Sequence, residues 1–213
     1  MNTNKPANIV SYYVLANKLK TTLRTGWVVW EVDAPRIESI AEHVYGVLML
    51  AIAIQSEYHY DIDFSKTLLM LALHETEEIL IGDYTPLQTS RVEKQKKGHS
   101  AIVKIFDALA DKKQLISLLL EFDERKTPEA KFAYQCDKLE CNLQCRLYDE
   151  AGFFTLHGQE NNPAAANAFG RDLLKTEPDV STAWAKFTES YANFDANFKA
   201  IDAYAITHKI SVL

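Results

Sequence analysis

Residues 66–86, Lys66-Thr-Leu-Leu-Met-Leu-Ala-Leu-His74-Glu75-Thr76-Glu77-Glu78-Ile-Leu-Ile-Gly82-Asp83-Tyr-Thr-Pro86, place a histidine and four acids directly after a greasy stem. The stem, Leu68–Leu73, has no β-branched residue, and no turn signal follows before Gly82 and Pro86, so the stretch predicts a helix over 65–81. On such a helix His74 and Glu78 lie one turn apart on one face, with Glu75 about 100° round from His74. Burial of the stem brings the imidazole and carboxylates out at the edge of a core, where an unpaired carboxylate is costly and a metal ion or a buried base offsets the cost. A solvated Glu-rich face would give a similar composition. Spacing alone does not choose between Glu77 and Glu78 as the partner of His74.

Two other positions share this chemistry. His43, Val47, Leu50 and Ile54 fall at i, i+4, i+7 and i+11, a face that is apolar except for His43, which therefore points inward as a core histidine or as a ligand. Asp137 lies with Ala130, Ala133, Cys141, Gln144 and Tyr148 along one side of another predicted helix. An acid on that small-residue face either requires a cation or pairs with a nearby Arg or Lys. Taken together, His43, His74, Glu75 and Asp137 offer two imidazoles and two carboxylates from three inward helical faces. That mixed N/O set suits a divalent transition metal with positions left for water and substrate.

The elements that must hold these residues are helical throughout. Seven glycines and six prolines in 213 residues leave few obligatory turns, and the long segments read at helical period. The expectation is an all-α single domain over 1–213, with helices near 8–24, 37–56, 65–81, 87–110, 112–123, 128–150, 163–175 and 180–206. The segment 24–36, which carries Gly, Pro and two tryptophans, reads as an ordered loop. In it Arg24 could bridge to a carboxylate or a phosphate, and Trp27 could plug the core or stack on a flat ligand. The run Glu93–Lys97 reads as a solvated face or loop near the site. Trp184, Phe187, Tyr191, Phe194 and Phe198 recur at helical spacing, as core or as a homodimer seam.

Composition removes several classes of function. The chain is 47% hydrophobic, enough for a substantial core, and its net charge of −6 with a pI near 5.5 argues against general binding to nucleic acid. No apolar run approaches the roughly 20 residues of a membrane span, and the first residues lack the pattern of a signal peptide, so a cytoplasmic protein is expected. Cys136, Cys141 and Cys145, spaced by five and four on one helix, read as reduced core thiols.

In this order, His43, then His74-Glu75, then Asp137, the chain resembles the HD-domain metal-dependent phosphohydrolases, and within them the small 5′-deoxynucleotidases. The likeness covers residues 20–150 and rests on Arg24-Thr-Gly-Trp27, Glu38-Ser-Ile-Ala-Glu-His43, Ala72-Leu-His74-Glu75-Thr-Glu-Glu78-Ile-Leu-Ile-Gly-Asp83 and Ala130-Lys-Phe-Ala-Tyr-Gln-Cys-Asp137-Lys-Leu. It implies an HD-type helical bundle with a metal-binding core at 20–150 and the helices of 151–213 packed on it. It further implies that His43, His74, Glu75 and Asp137 hold a divalent metal (Co, Mn, Ni, Fe or Zn), that Glu78 orients or deprotonates the attacking water, that Asp83 contacts the sugar hydroxyl or assists the leaving group, and that Arg24 neutralises phosphate with Trp27 beside the sugar or base. The implied substrate is a (deoxy)nucleoside monophosphate. One departure stands out: the family's His-Asp pair is His74-Glu75 here, longer by one methylene, about 1.5 Å. The competing readings are a catalytically degenerate nucleotide-binding or interaction module, and a di-metal oxygenase, for which His59, His99 and His157 are poorly placed.

Overall fold

The protein, described here by a computed structural model over residues 4–84, 89–159, 162–166 and 168–211, is all-α. Among the described residues the sole extended pairing is an isolated antiparallel bridge, Leu23 with Ser39. Helix α1 spans Lys5–Ala16 and tightens into a 3-10 turn at Asn17–Lys20, short of the helix end expected at residue 24. The bridge takes over there: Arg24 N donates to Glu38 O at 2.9 Å and Ile40 N to Thr22 O at 2.9 Å. Arg24 is thereby fixed beside the start of α3. Helix α2, Thr25–Val29, forms within the segment expected to be loop.

Helix α3, Ile40–Tyr58, opens on a capping box. Ser39 Oγ accepts from Glu42 N at 3.3 Å, while Glu42 Oε2 accepts from Ser39 N at 2.8 Å, so side chains meet two backbone donors at the helix start at once. The helix ends at His59, whose φ of 51° supplies a left-handed cap.

The expected helix 65–81 is two helices, α4 at Phe64–Leu73 and α5 at Glu78–Ile81, separated by turns over 74–77. The cause is local and polar. In a continuing helix the Leu71 carbonyl would take the N–H of Glu75. Here it accepts His74 Nδ1 at 2.6 Å, and the chain tightens into i−3 bonds, Thr76 N to Leu73 O at 2.8 Å and Glu78 N to Glu75 O at 3.1 Å. His74 and Glu78 consequently do not share one continuous helical face.

Helices α6 (Arg91–Ile105), α7 (Lys112–Glu124), α8 (Pro128–Glu150), α9 (Ala168–Thr176), α10 (Val180–Ala192) and α11 (Ala196–Thr207) complete the set. The expected starting residues of α6, Leu87 and Gln88, and the stop at Pro86 lie outside the described residues, as does Asn167 within the expected helix 163–175, where a 3-10 turn at Pro163–Ala166 precedes α9. The single helix expected over 180–206 is broken where Asn193 turns left-handed at φ 54° and Asp195 caps α11 through the N–H groups of Asn197 and Phe198.

The chain forms two compact units, residues 1–25 with 38–133, and residues 26–37 with 134–213. The core of the first gathers Leu73, Ile79, Ala101, Ile102, Ile105, Phe106 and Leu119, on which α1 lays Tyr12, Leu15 and Ala16. The core of the second is aromatic. Trp27 stacks on Trp184 at 4.8 Å and meets Tyr148 edge-on at 5.3 Å, and Trp30 lies 5.4 Å from Trp184. Within that unit α8 is tied to α11 by Asn142 Nδ2 donating to Asp202 Oδ1 at 2.9 Å, and Asp195 N donates to Gln135 Oε1 at 2.6 Å. Cys136, Cys141 and Cys145 are buried, and burial raises the Cys136 and Cys145 thiols well above their ordinary range. No helix among the described residues is long and apolar enough to cross a membrane.

The capping box makes a stability prediction. Ser39→Ala removes one side-chain cap and is expected to cost about 1 kcal/mol, lowering Tm by about 2–4 °C in a chain of this size. Thermal denaturation followed by circular dichroism measures it, and an unchanged Tm would show that the box contributes nothing.

Candidate metal centre

The first unit brings two imidazoles and a carboxylate to one point. His43 lies in the first turns of α3 and is fully buried, at 0% exposure; His74 ends α4 at 3% and Glu75 follows it at 7%. His43 Nε2 and His74 Nε2 are 3.4 Å apart, and Glu75 Oε1 lies 3.6 Å from the first and 3.7 Å from the second. A point equidistant from the corners of that triangle is about 2.1 Å from each, the bond length of a divalent metal to imidazole nitrogen or carboxylate oxygen. The donor set therefore fits an ion, and all three ligand atoms lie within 4.8 Å of one another.

Orientation is built in as well as distance. His74 Nδ1 donates to the Leu71 carbonyl, which leaves the Nε2 lone pair directed at the centre, the arrangement that metal-ligating histidines depend on. The hydrogen bond that breaks the helix thus also sets the tautomer. Arg24 Nη1 donates to Glu75 Oε1 at 3.0 Å and lies 3.9 Å from Asp83 Oδ1. Asp83 is held in turn by Thr25, whose N–H donates to Oδ2 at 2.7 Å and whose hydroxyl donates to the Asp83 carbonyl at 2.9 Å.

Glu78 begins α5 with its side chain wholly buried. Lys94 Nζ donates to its Oε1 at 2.7 Å, and Oε2 has no hydrogen-bond partner among the described residues. Burial first, then the nearby Glu75 carboxylate, push the Glu78 carboxyl well above its ordinary range, with Lys94 opposing. Burial alone would lower the Lys94 ammonium, but Glu78 and then Glu75 reverse this and hold it above its usual value. Lys94 is the partner of Glu78 that sequence reasoning missed. In the run Glu93–Lys97, read as a solvated face, Glu93, Lys96 and Lys97 are exposed, whereas Lys94 turns inward. The available signal was its helical register with Gly98, Ala101 and Ile105.

Two expected site residues belong to the second unit. Asp137 sits on α8 at 3% exposure, and Lys138 Nζ lies 2.8 Å from its Oδ2, the ion pair that sequence alone left as an alternative. Trp27 is 2% exposed within the aromatic cluster.

Against known families, residues 16–158 match the HD domain. The chain belongs to the HD-domain family. Curated relatives of this HD domain include the 5′-deoxynucleotidase HDDC2 of Danio rerio, 34% identical over 148 residues that make up 67% of this chain and 70% of that protein. The 5′-deoxynucleotidase HDDC2 of Dictyostelium discoideum is 32% identical over 152 residues, 68% of this chain and 79% of that one. Among solved structures, a predicted metal-dependent phosphohydrolase from Magnetospirillum magnetotacticum shares the fold with a TM-score of 0.63 at 20% identity, covering 95% of this chain and 91% of that one.

The acid-rich turn of this HD domain carries a pH prediction for the metal-free protein. Burial raises the Glu77 carboxyl from 4.5 to about 8; Glu75 adds to the shift and Lys94 opposes it. The folded state then holds a proton that the unfolded chain has released, so the contribution of Glu77 to stability is greatest below about pH 4.5, falls as pH rises towards 8, and levels off above it. Glu77→Gln cannot ionise and is expected to flatten that slope. Urea denaturation of both forms in chelator at pH 5, 6, 7 and 8 reads the difference, and parallel profiles would refute it.

Proposed function

We propose that this HD domain is a metal-dependent phosphohydrolase that releases phosphate from nucleoside 5′-monophosphates, 2′-deoxy forms foremost. The observation that carries the reading is the buried triangle of His43, His74 and Glu75, supported by relatives that are named 5′-deoxynucleotidases. Asp137 is assigned as the fourth ligand on its place in the HD pattern and its burial. A divalent ion in this set would supply a Lewis acid for the phosphoryl oxygens and lower the pKa of a water from 15.7 toward 7.

The protein's own side chains divide the remaining work. Glu78 Oε2, with Oε1 occupied by Lys94, takes the proton of the attacking water. Arg24, already beside Glu75 and Asp83, neutralises the phosphate. Asp83, anchored through Oδ2 by the Thr25 N–H, meets the sugar hydroxyl or the leaving oxygen. Trp27, spent on Tyr148 and Trp184, anchors the segment just after Arg24 and is not assigned a stacked base. The degenerate alternative, in which Glu75 spoils the site, is disfavoured because the longer side chain still brings Oε1 to within 3.7 Å of both imidazole nitrogens.

Phosphate release from dAMP and dTMP with Mn²⁺ or Co²⁺ tests the proposal; chelation should abolish it and metal should restore it. Glu78→Ala is expected to lower turnover by about 10²- to 10⁴-fold with metal content unchanged, and full activity in that variant would remove its role. Glu75→Asp should keep its Co²⁺ and preserve or increase activity, since aspartate still supplies a ligating carboxylate. Loss of the ion in that variant would mean the site has been rebuilt around the longer side chain.

A further inference from the structure

Lys94 reaches from α6 to the acid-rich turn, where its Nζ meets Glu78. Gly98, one turn further on, is where α6 touches that turn. A Cβ at this position would stand 3.5 Å from Glu77 Cβ and 3.2 Å from Glu77 Cγ, the latter tighter than side chains ordinarily tolerate. The missing side chain allows the helix to approach closely enough for a lysine at i−4 to reach Glu78. From the other side, His99 Nε2 and Asp123 Oδ2 pair at 2.7 Å and Gln95 Nε2 donates to the Asp123 carbonyl at 3.4 Å, which ties α6 to α7 and fixes its rotation.

The result is a carboxylate with inequivalent oxygens. Glu78 Oε1 is taken by Lys94 Nζ at 2.7 Å, and Oε2 is buried without a partner among the described residues. We infer that Lys94 is a positioning residue: by binding Oε1 it fixes the Glu78 rotamer and leaves Oε2 as the one oxygen offered to the reacting water, without itself contacting substrate. The inference rests on the proposed role of Glu78 as proton acceptor. A lysine that instead left Glu78 to neutralise phosphate would act on substrate binding, and the two roles separate in kinetics.

The test uses the full chain loaded with Mn²⁺, phosphate release from dAMP, and metal content measured in parallel. Lys94→Met should lower kcat by about 10–100-fold with KM within about twofold and metal stoichiometry unchanged, the size usual for a residue that orients another. Lys94→Arg should recover most of the loss, and Lys94→Gln, which donates without charge and keeps the buried carboxylate solvated should the Met variant misfold, should fall between them. Placed on Glu78→Gln, Lys94→Met should add less than about twofold, because the group it positions is already gone. A raised KM with kcat retained, an additive loss in the double variant, or undiminished turnover by Lys94→Met would each overturn the inference. If Glu78→Gln turns over like the parent, the proton-acceptor reading fails by itself; if the parent releases no phosphate from any nucleoside monophosphate, the proposed function fails and takes the inference with it.

Discussion

Two buried imidazoles and a buried carboxylate meet across 3.4–3.7 Å, and most of the first unit is arranged to keep them there. Bringing such groups out of water has a desolvation cost that hydrophobic packing around them does not return. Their donor atoms converge on one point, so a single ion can satisfy all three together. His43 is fixed by a capped helix start, His74 by its own bond to the Leu71 carbonyl, and Glu75 by the Arg24 guanidinium. Each restraint comes from a different element, so the centre does not depend on any one helix being straight.

The break between α4 and α5 shows how a local competition decides site geometry. A straight helix through 74–78 would have set His74 and Glu78 on one stripe with Glu75 about 100° round from it, its carboxylate having to reach back to the same point. With the Leu71 carbonyl engaged by the His74 ring and the next bonds shortened to i−3, the turn gathers His74 and Glu75 on the same centre and starts a new helix at Glu78. The longer side chain of Glu75 is accommodated by the same turn, its Oε1 shared between Arg24 and the two imidazoles.

Much of this was legible in the sequence. The inward His43 followed from apolar neighbours at helical spacing, and the acids after the Leu68–Leu73 stem from their position at a core edge. The interruption at 74–77 was not, because no Gly or Pro marks it; the breaking group is a histidine ring, and its preference for the carbonyl appears only once the ring is buried. Lys94 was hidden for a related reason. A run of charges looks solvated until one knows that Gly98 lets its helix approach a buried acid. The second break, at Asn193, lay under a continuous aromatic periodicity that survives across the left-handed turn. Trp27 had two readings on sequence, and its ring now lies between Tyr148 and Trp184.

Formal charge gives an independent argument for what belongs in the first unit. Among the described residues around the triangle, the carboxylates of Glu75, Glu77, Glu78 and Asp83 outnumber the cations Arg24 and Lys94. That surplus of acidic groups is what a divalent ion would offset. Without the ion, burial first and the Glu75 carboxylate second raise the proton affinity of both neighbours, the Glu77 carboxyl to about 8 and Glu78 well above its ordinary range. In the second unit Asp137 has its own lysine, Lys138, and brings no excess of its own. A binding module that only held a nucleotide would gain nothing from surplus buried acid, since phosphate is itself an anion; the surplus makes physical sense where a cation is to be held.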